Sequence, residues 1–235
     1  GGVFLHFHGG GFVLGRAHHF DEVMEVLSQA VGVVVVSVDS RLAPENPYPA
    51  GLDDCEAAAL WLVENAGREF GTDKLTLGGE SAGANLAVGT LVRLRDKRGC
   101  TGFRGVNLAY GVFDLNQTPS VRTWGDVPLV LTTALMNWFN SHYTTPDQLT
   151  NPEASPLYAD LRGLPPALFT VGTLDPLLDD SLFMCSRWIA AGNKAELAVF
   201  PGGCHGFNAF PIPAARKAND GMAAFLSNCL RDEDA

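Results

Sequence analysis

The segment Lys74–Gly89, with the sequence KLTLGGESAGANLAVG, decides the fold of this chain. Its apolar start, Leu75–Gly79, predicts a buried strand, and a helical pattern begins near Ala82. Ser81 lies in the turn between them, within the motif G-x-S-x-G. Small residues on both sides of the serine let strand and helix approach, and the tight turn exposes the hydroxyl at the helix N-terminus. The motif predicts a nucleophilic serine; the alternative is a glycine-rich turn with a capping serine.

The remaining chain alternates between strand and helix patterns. The predicted strands are Val3–His8, Val33–Asp39, Leu75–Gly79, Gly105–Ala109, Ala167–Gly172 and Ala195–Phe200. The predicted helices are His18–Val31, Leu52–Asn65, Ala82–Arg98, Thr132–Tyr143, Leu177–Ala191 and Ala214–Leu230. Several strands are unbroken apolar runs, which are typical of parallel strands covered on both faces. We therefore expect a single α/β domain over residues 1–235, with a mostly parallel sheet of about six strands flanked by helices.

One stretch interrupts this alternation after the fourth predicted strand. Between Leu115 and Pro166 the chain is rich in proline and carries one apolar helical pattern, ALMNWFNSHY at Ala134–Tyr143. A loop of this length in a compact domain usually has a function, such as covering a binding site. We predict that residues 115–166 form a partial cap; a disordered connection is the alternative.

A serine nucleophile needs a base, and the base needs a carboxylate that fixes its tautomer. Of the six histidines, His205 is the best candidate base, because it lies in a glycine-rich loop, PGGCHGF, after the last predicted strand. Asp175 follows the preceding strand at its carboxyl end, where the catalytic groups of open α/β sheets gather. Asp179 and Asp180 compete with it, but they fall at the start of a helix and are interpreted as structural. The predicted catalytic residues are Ser81, Asp175 and His205, in that chain order.

The opening stretch Val3–Gly15, VFLHFHGGGFVLG, predicts a second part of the site. Backbone N–H groups stabilise the oxyanion of acyl transfer where no side chain blocks the approach. The consecutive glycines after the first strand meet this requirement, because they have no side chains. We predict an oxyanion hole formed by Gly10, Gly11 and Ala82, with Gly9 as a further candidate.

Together these motifs resemble the hormone-sensitive-lipase-like family of α/β-hydrolase esterases. The blocks HGGGFVLG, DSRLAPENPYPAGLDD, GGESAGANLA, LPPALFTVGTLDPLLDD and PGGCHGF match the family's blocks in order over nearly the whole chain. The resemblance implies an α/β-hydrolase fold and a serine hydrolase that needs no cofactor. Glu80 stands where the family usually has aspartate, and Ala84 stands where it usually has glycine.

The resemblance also implies supporting roles. The residues expected to support the motifs are His8, Gly79, Glu80 and Gly83. Arg41 and Glu45 are expected to form a buried ion pair. Family members carry a further N-terminal region that forms part of the cap and the first two strands of the sheet. We expect this chain to lack that region, which leaves VFLHF nearer a sheet edge. Either the chain is a fragment of a longer protein, or it covers the exposed edge by association, as in a homodimer.

Composition argues against several classes of function. The formal net charge is −10, and the basic cluster RLRDKR at Arg93–Arg98 is typical of a solvated helix end, so nucleic-acid binding is not expected. The apolar run Ala30–Val38 is about half of the roughly 20 residues that a membrane span needs. Five scattered cysteines predict reduced thiols, and a cytoplasmic location is favoured. His6 and His8 share a strand face, but no neighbouring residue completes a metal site, so no metal is expected.

The leading hypothesis is a serine carboxylesterase that hydrolyses small esters with short acyl chains through an acyl-enzyme. An amidase, a formamidase or a carbohydrate deacetylase of the same fold is the alternative within this chemistry. A non-catalytic small-molecule binding protein is the alternative of another class. Plant gibberellin receptors resemble the family but have lost the triad histidine, whereas this chain keeps His205.

Overall fold

The structure is a computed structural model that describes residues 1–231. Its strands are β1 (Val3–Phe7), β2 (Val34–Val38), β3 (Leu75–Glu80), β4 (Phe103–Ala109), β5 (Ala167–Leu174) and β6 (Ala195–Cys204). Within the described residues these strands form one parallel sheet in the order β2-β1-β3-β4-β5-β6. The predicted sheet is therefore confirmed. Among the described residues the edge strands are β2 and β6, and β1 lies next to β2, hydrogen-bonded on both sides.

The helices follow the strands as expected, with three differences. They are α1 (Asp21–Val31), α2 (Ala50–Phe70), α3 (Ala82–Arg98), α4 (Pro119–Trp124), α5 (Thr133–Tyr143), α6 (Leu178–Ala190) and α7 (Pro213–Cys229). The start of the first predicted helix is a separate 3-10 turn, Ala17–Phe20. Helix α2 continues past its predicted end because the left-handed residue that terminates it is Gly71, at φ 69°. Helix α4 was not predicted.

Helices cover both faces of the sheet, and the core is divided accordingly. One face packs against α2, α3 and α6, and its fully buried side chains include Leu5, Leu77 and Trp188. The other face packs against α1 and α7 around Phe4 and Leu226. Leu5 and Phe4 are adjacent in β1, so their opposite directions follow from the alternation of side chains along a strand. Among residues 1–231, no helix has both the length and the apolarity that crossing a membrane requires.

The segment between Leu115 and Pro166 packs over the carboxyl edge of the sheet. Helix α5 begins at the N-cap Thr132, whose hydroxyl accepts the Leu135 N–H at 3.1 Å. At its other end, the Tyr143 ring stacks on Phe12 with ring centroids 3.8 Å apart. The segment thereby rests on the glycine-rich loop that follows β1, next to the predicted site.

The expected buried ion pair between Arg41 and Glu45 is wrong. Arg41 instead pairs with Asp54 on α2, with Nη2 and Oδ1 2.7 Å apart, and its side chain is 52% exposed. The Arg41 backbone N–H also donates to Asp54, at 2.8 Å. Because α2 begins close to Arg41, Asp54 satisfies both the backbone and the side chain of this residue.

A buried ion cluster lies instead at Arg93, so the interpretation of the basic segment as a solvated helix end is wrong for this residue. Arg93 is 4% exposed and pairs with the carboxylates of Asp53, Glu56 and Glu153. These partners raise the pKa of the Arg93 guanidinium further above its usual value. The cluster joins α2, α3 and the segment before β5. The more C-terminal Arg98 is half-exposed, as a solvated helix end requires.

Asp180, interpreted as structural, is fully buried at the start of α6. Its carboxylate accepts hydrogen bonds from the N–H groups of Phe113 and Asp114, at 2.6 and 2.9 Å, and from the Thr118 hydroxyl, at 2.7 Å. It thus anchors the chain where it leaves β4 for the segment over the sheet. Burial raises the pKa of this carboxyl from its ordinary value of 3.8 to about 7.

We expect the substitution Asp180→Asn to flatten part of the pH dependence of stability. The folded state holds the Asp180 proton more tightly than the unfolded state, so the contribution of this group to stability falls as pH rises from about 4 to about 7. Each unit of raised pKa corresponds to about 1.4 kcal/mol. Asparagine keeps an acceptor for the two N–H groups and has no proton to lose. Denaturant unfolding at pH 4.5, 6 and 8 measures the effect. The free energy of unfolding of the variant should rise relative to that of the wild type as pH rises. A difference between the two that stays constant with pH would contradict this assignment.

Candidate active site

Ser81 occupies a strained turn between β3 and α3. Its backbone angles are φ 56° and ψ −119°, which side-chain-bearing residues rarely adopt. The Ser81 N–H donates to the Ala109 carbonyl at the end of β4, at 2.9 Å. A Cβ added to Gly79 or to Gly83 would collide with the carbonyl oxygen of Phe7 at the end of β1. The glycines of the motif are therefore required, because β1 passes directly against the turn.

Ser81, His205 and Asp175 form a continuous chain of hydrogen bonds. The Ser81 hydroxyl lies 3.0 Å from Nε2 of His205, and Nδ1 of His205 lies 2.9 Å from Oδ2 of Asp175. The carboxylate is 1% exposed, and its other oxygen accepts the Leu177 N–H at 2.9 Å. Because a carboxylate accepts, Nδ1 carries the proton and Nε2 is free to accept from the serine. The three predicted catalytic residues are thus brought together from the ends of β3, β5 and β6.

Tyr110 supports the imidazole and was not predicted as a site residue. Its ring meets His205 edge to face, with centroids 4.8 Å apart, and its hydroxyl donates to Oδ1 of Asn208 at 2.7 Å. Burial, with the nearby carboxylates of Glu80 and Asp175, raises the pKa of Tyr110 well above its usual value, so the phenol remains a donor. The positive φ of Tyr110, 36°, marks a second strained position at this edge. The only signal in the sequence was its place at the carboxyl end of a strand.

The oxyanion loop, residues 8–15, passes beside the serine. A Cβ added to Gly9 would lie 3.4 Å from Cβ of Ser81. Gly10 and Gly11 have φ values of 120° and 60°, which glycine adopts without strain. Among residues 1–231, the N–H groups of Gly10, Gly11 and Ala82 donate to no protein acceptor. These three groups are free to receive an oxyanion.

Gly9 differs from its neighbours and is removed from the predicted set of donors. Its N–H donates to Oε1 of Glu80 at 2.6 Å, so it is already satisfied. Nδ1–H of His8 donates to the Gly9 carbonyl at 2.7 Å, which places His8 in contact with the loop it was expected to support.

His6 of β1 has a protein partner at each ring nitrogen. His6 donates from Nε2 to Oε2 of Glu80 at 3.0 Å, and its Nδ1 lies 2.8 Å from the Ser37 hydroxyl. Within residues 1–231, no group of three or more His, Cys, Asp or Glu side chains has an arrangement that could hold a metal ion. The shared strand face of His6 and His8 is covered by the Phe20 ring.

A cavity of about 460 Å³ opens above Ser81 and His205. The segment around α5 contributes five apolar residues to its wall: Val130, Leu131, Leu135, Met136 and Phe139. The Phe139 ring lies where a Cβ of Gly11 would be, so the ring covers the oxyanion loop directly. Sequence patterning predicted this helix but not which of its side chains face the serine.

A parallel sheet that presents a serine at a strand–helix elbow defines the class of α/β hydrolases. Residues 4–209 of the chain match the family of proteins with the alpha/beta hydrolase fold, and the chain belongs to this family. The resemblance to hormone-sensitive-lipase-like esterases is confirmed by the relatives described next.

Carboxylesterase NlhH of Mycobacterium tuberculosis is 36% identical over 237 residues, which cover 97% of this chain and 74% of the relative. The thermostable carboxylesterase EstE1, cloned from a metagenomic library, has a TM-score of 0.93 at 36% sequence identity. The match covers 98% of this chain and 80% of the EstE1 chain. The hyperthermophilic esterase of the archaeon Pyrobaculum calidifontis has a TM-score of 0.92 at 36% sequence identity. The match covers 96% of this chain and 76% of the esterase chain.

We expect Gly83→Ala to destabilise the protein by about 1–3 kcal/mol, because the added methyl group overlaps the Phe7 carbonyl and forces β1 away from the turn. Gly67→Ala is the matched control: no atom lies within 4 Å of its added Cβ, and alanine in a helix is favoured over glycine by about 1 kcal/mol. Denaturant unfolding of both variants measures the contrast. Equal stability of the two variants would contradict the close approach of the Phe7 carbonyl to Gly83.

Proposed function

We propose that this protein is a serine carboxylesterase that hydrolyses small esters with short acyl chains. The observation that carries the proposal is the hydrogen-bonded chain Ser81–His205–Asp175 beside the free N–H groups of Gly10, Gly11 and Ala82. A nucleophile, a base and oxyanion donors meet at one place, as acyl transfer requires. The names of the relatives, carboxylesterases and esterases, support the same reaction class.

Acylation begins when the Ser81 oxygen attacks the ester carbon. Nε2 of His205 takes the serine proton, and the carbonyl π electrons move to the oxygen, which becomes the oxyanion. The N–H groups of Gly10, Gly11 and Ala82 stabilise that charge. Removing one such donor typically slows the reaction by a factor of about 10²–10³. When the tetrahedral intermediate collapses, the C–O bond to the alcohol breaks, and Nε2–H gives its proton to the leaving alkoxide.

Deacylation repeats the same steps with water. His205 takes a proton from the water as its oxygen attacks the acyl carbon, and Ser81 leaves with that proton. Asp175 accepts from Nδ1–H throughout, which keeps Nε2 directed at the serine and stabilises the imidazolium. Because Asp175 is buried and held by the Leu177 N–H, the imidazole has a fixed partner.

The preference for short acyl chains follows from the cavity. Its volume of about 460 Å³ lies toward the small end of ligand pockets, and its wall is mostly apolar, which suits a small neutral ester. The Phe139 ring stands over the oxyanion loop and limits the length of a group that extends past the ester carbonyl.

We expect Ser81→Ala to lower kcat on nitrophenyl acetate by a factor of about 10⁶, because the nucleophile is lost while the fold is kept. The measurement is a series of nitrophenyl esters of increasing acyl length with wild type, Ser81→Ala and the control Ser186→Ala, which changes an exposed serine of α6. Wild type and control should share a maximum at short chains. Equal rates for wild type and Ser81→Ala would contradict the mechanism.

The same preparation distinguishes the other candidate functions. An alkyl fluorophosphonate should label Ser81 of the wild type with one adduct, seen by mass spectrometry of the peptide. A properly folded wild type that forms no adduct would favour the non-catalytic binding protein. Faster turnover of the matched nitroanilides than of the esters would favour an amidase.

We further propose that the chain forms a homodimer through the free edge of β2. Among the described residues β2 pairs only with β1, and Val34 at its start is 43% exposed. Val34→Lys should shift the wild-type dimer to monomer in size-exclusion chromatography with light scattering. Val26→Lys, at a 65% exposed position on α1, should leave the dimer intact. A wild type that is monomeric at every concentration would overturn this proposal.

A further inference from the structure

We propose that Glu80 is a positioning residue that holds the oxyanion loop in place beside Ser81, through the N–H of Gly9. The inference rests on the proposed function, because an oxyanion loop matters only if Ser81 performs acyl transfer. The sequence predicts Glu80 as a support of the serine motif, and the structure gives its carboxylate two partners, His6 and Gly9.

The Glu80 carboxylate joins the end of β3 to β1 and to the loop that follows β1. It stands at the end of β3, immediately before Ser81, with its side chain 15% exposed. Oε1 accepts the Gly9 N–H at 2.6 Å, and Oε2 accepts Nε2–H of His6 at 3.0 Å. Gly9 and His6 flank the end of β1. One carboxylate therefore ties the end of the nucleophile strand to the start of the oxyanion loop.

The hydrogen bonds of this network have consistent directions when the His6 imidazole is neutral. An ionised carboxylate only accepts, so Nε2 of His6 carries the proton, and Nδ1 of the neutral ring then accepts. The donor to Nδ1 is the hydroxyl of Ser37 on β2, at 2.8 Å. The chain Ser37–His6–Glu80–Gly9 thus crosses three neighbouring strands, and each member has a partner. Such a satisfied, partly buried network is rigid because breaking any link leaves a polar group unpaired.

The consequence for catalysis passes through two consecutive peptide groups, His8–Gly9 and Gly9–Gly10. Gly9 is held at its N–H by Glu80 and at its carbonyl by Nδ1–H of His8. In a trans peptide the carbonyl of one residue and the N–H of the next point in opposite directions. A fixed Gly9 carbonyl therefore sets the direction of the Gly10 N–H. Because glycine backbone is otherwise free to rotate, the orientation of Gly9 depends on these two hydrogen bonds.

The test compares Glu80→Met with Glu80→Gln. Methionine has a similar length but no acceptor, so the Gly9 N–H loses its partner. Glutamine keeps an oxygen for Gly9, and its NH₂ group can donate to Nε2 of His6 if the imidazole changes tautomer and donates from Nδ1 to Ser37. We expect Glu80→Met to lower kcat on nitrophenyl acetate by a factor of about 10–100, with KM changed less than about threefold, since displacing an oxyanion donor costs less than removing it, which slows the reaction by about 10²–10³. Glu80→Gln should stay within about fivefold of the wild type.

The inhibition constant of a transition-state analogue distinguishes a positioning role from a purely structural one, which would leave that constant unchanged. An alkyl trifluoromethyl ketone binds by forming a C–O bond to Ser81; its carbonyl π electrons become an oxyanion, and the serine proton passes to His205. Its inhibition constant should rise in Glu80→Met by the factor by which kcat/KM falls, because both depend on oxyanion stabilisation. The inhibition constant of the product alcohol, which has no oxyanion, should not change.

Controls separate failure of this inference from failure of the proposed function. Glu64→Met, on the exposed surface of α2, should match the wild type. A wild type without esterase activity contradicts the function itself. If the wild type is active, any of three results overturns the role of Glu80. Glu80→Met keeps kcat within twofold of the wild type, only its KM changes, or Glu80→Gln loses as much kcat as Glu80→Met. If Glu80→Met does not fold, His6→Phe is measured in its place. A fall in kcat of about threefold or more at unchanged KM would support the positioning role of Glu80. An unchanged kcat would overturn it.

Discussion

The Phe7 carbonyl at the end of β1 lies so close to the turn around Ser81 that neither Gly79 nor Gly83 could carry a side chain. This contact brings the first strand, with the loop that follows it, against the strand–helix elbow. The elbow in turn holds Ser81 at φ 56°, with its N–H bonded to Ala109 of β4. Close packing of three backbones is thus the condition on which the rest of the site depends.

Polar side chains complete what the backbone contact begins. The loop after β1 contains three consecutive glycines, Gly9, Gly10 and Gly11, which favour no single conformation, so their orientation depends on neighbouring residues. Glu80 and His8 hold the N–H and the carbonyl of Gly9, while Tyr143 of the covering segment stacks on Phe12. On the other side of the serine, Tyr110 holds the imidazole of His205 edge to face. Each reacting group is therefore positioned by a neighbour that has no part in bond making.

The sequence was sufficient to place the parts of the site that follow strands. Ser81, Asp175 and His205 each come just after a strand pattern, and the carboxyl ends of parallel strands meet at one edge of the sheet. Gly9 could not be separated from Gly10 and Gly11, because the difference lies in a hydrogen bond to a residue 71 positions away. Arg41 has carboxylates on both sides in sequence, and its choice of Asp54 depends on where α2 begins. Buried Arg93 was hidden within a basic run for the same reason: its partners come from α2 and from the segment before β5.

We propose that Ser81 and three backbone N–H groups form one acyl-transfer site. A crystal structure of the protein after reaction with diethyl nitrophenyl phosphate tests it most directly, since the adduct carries an oxygen where the oxyanion would be. We expect phosphorus on Oγ of Ser81 and that oxygen about 2.7–3.1 Å from the amide nitrogens of Gly10, Gly11 and Ala82. An adduct on Ser81 whose oxygen meets none of these nitrogens, or an adduct on another residue, would contradict the account.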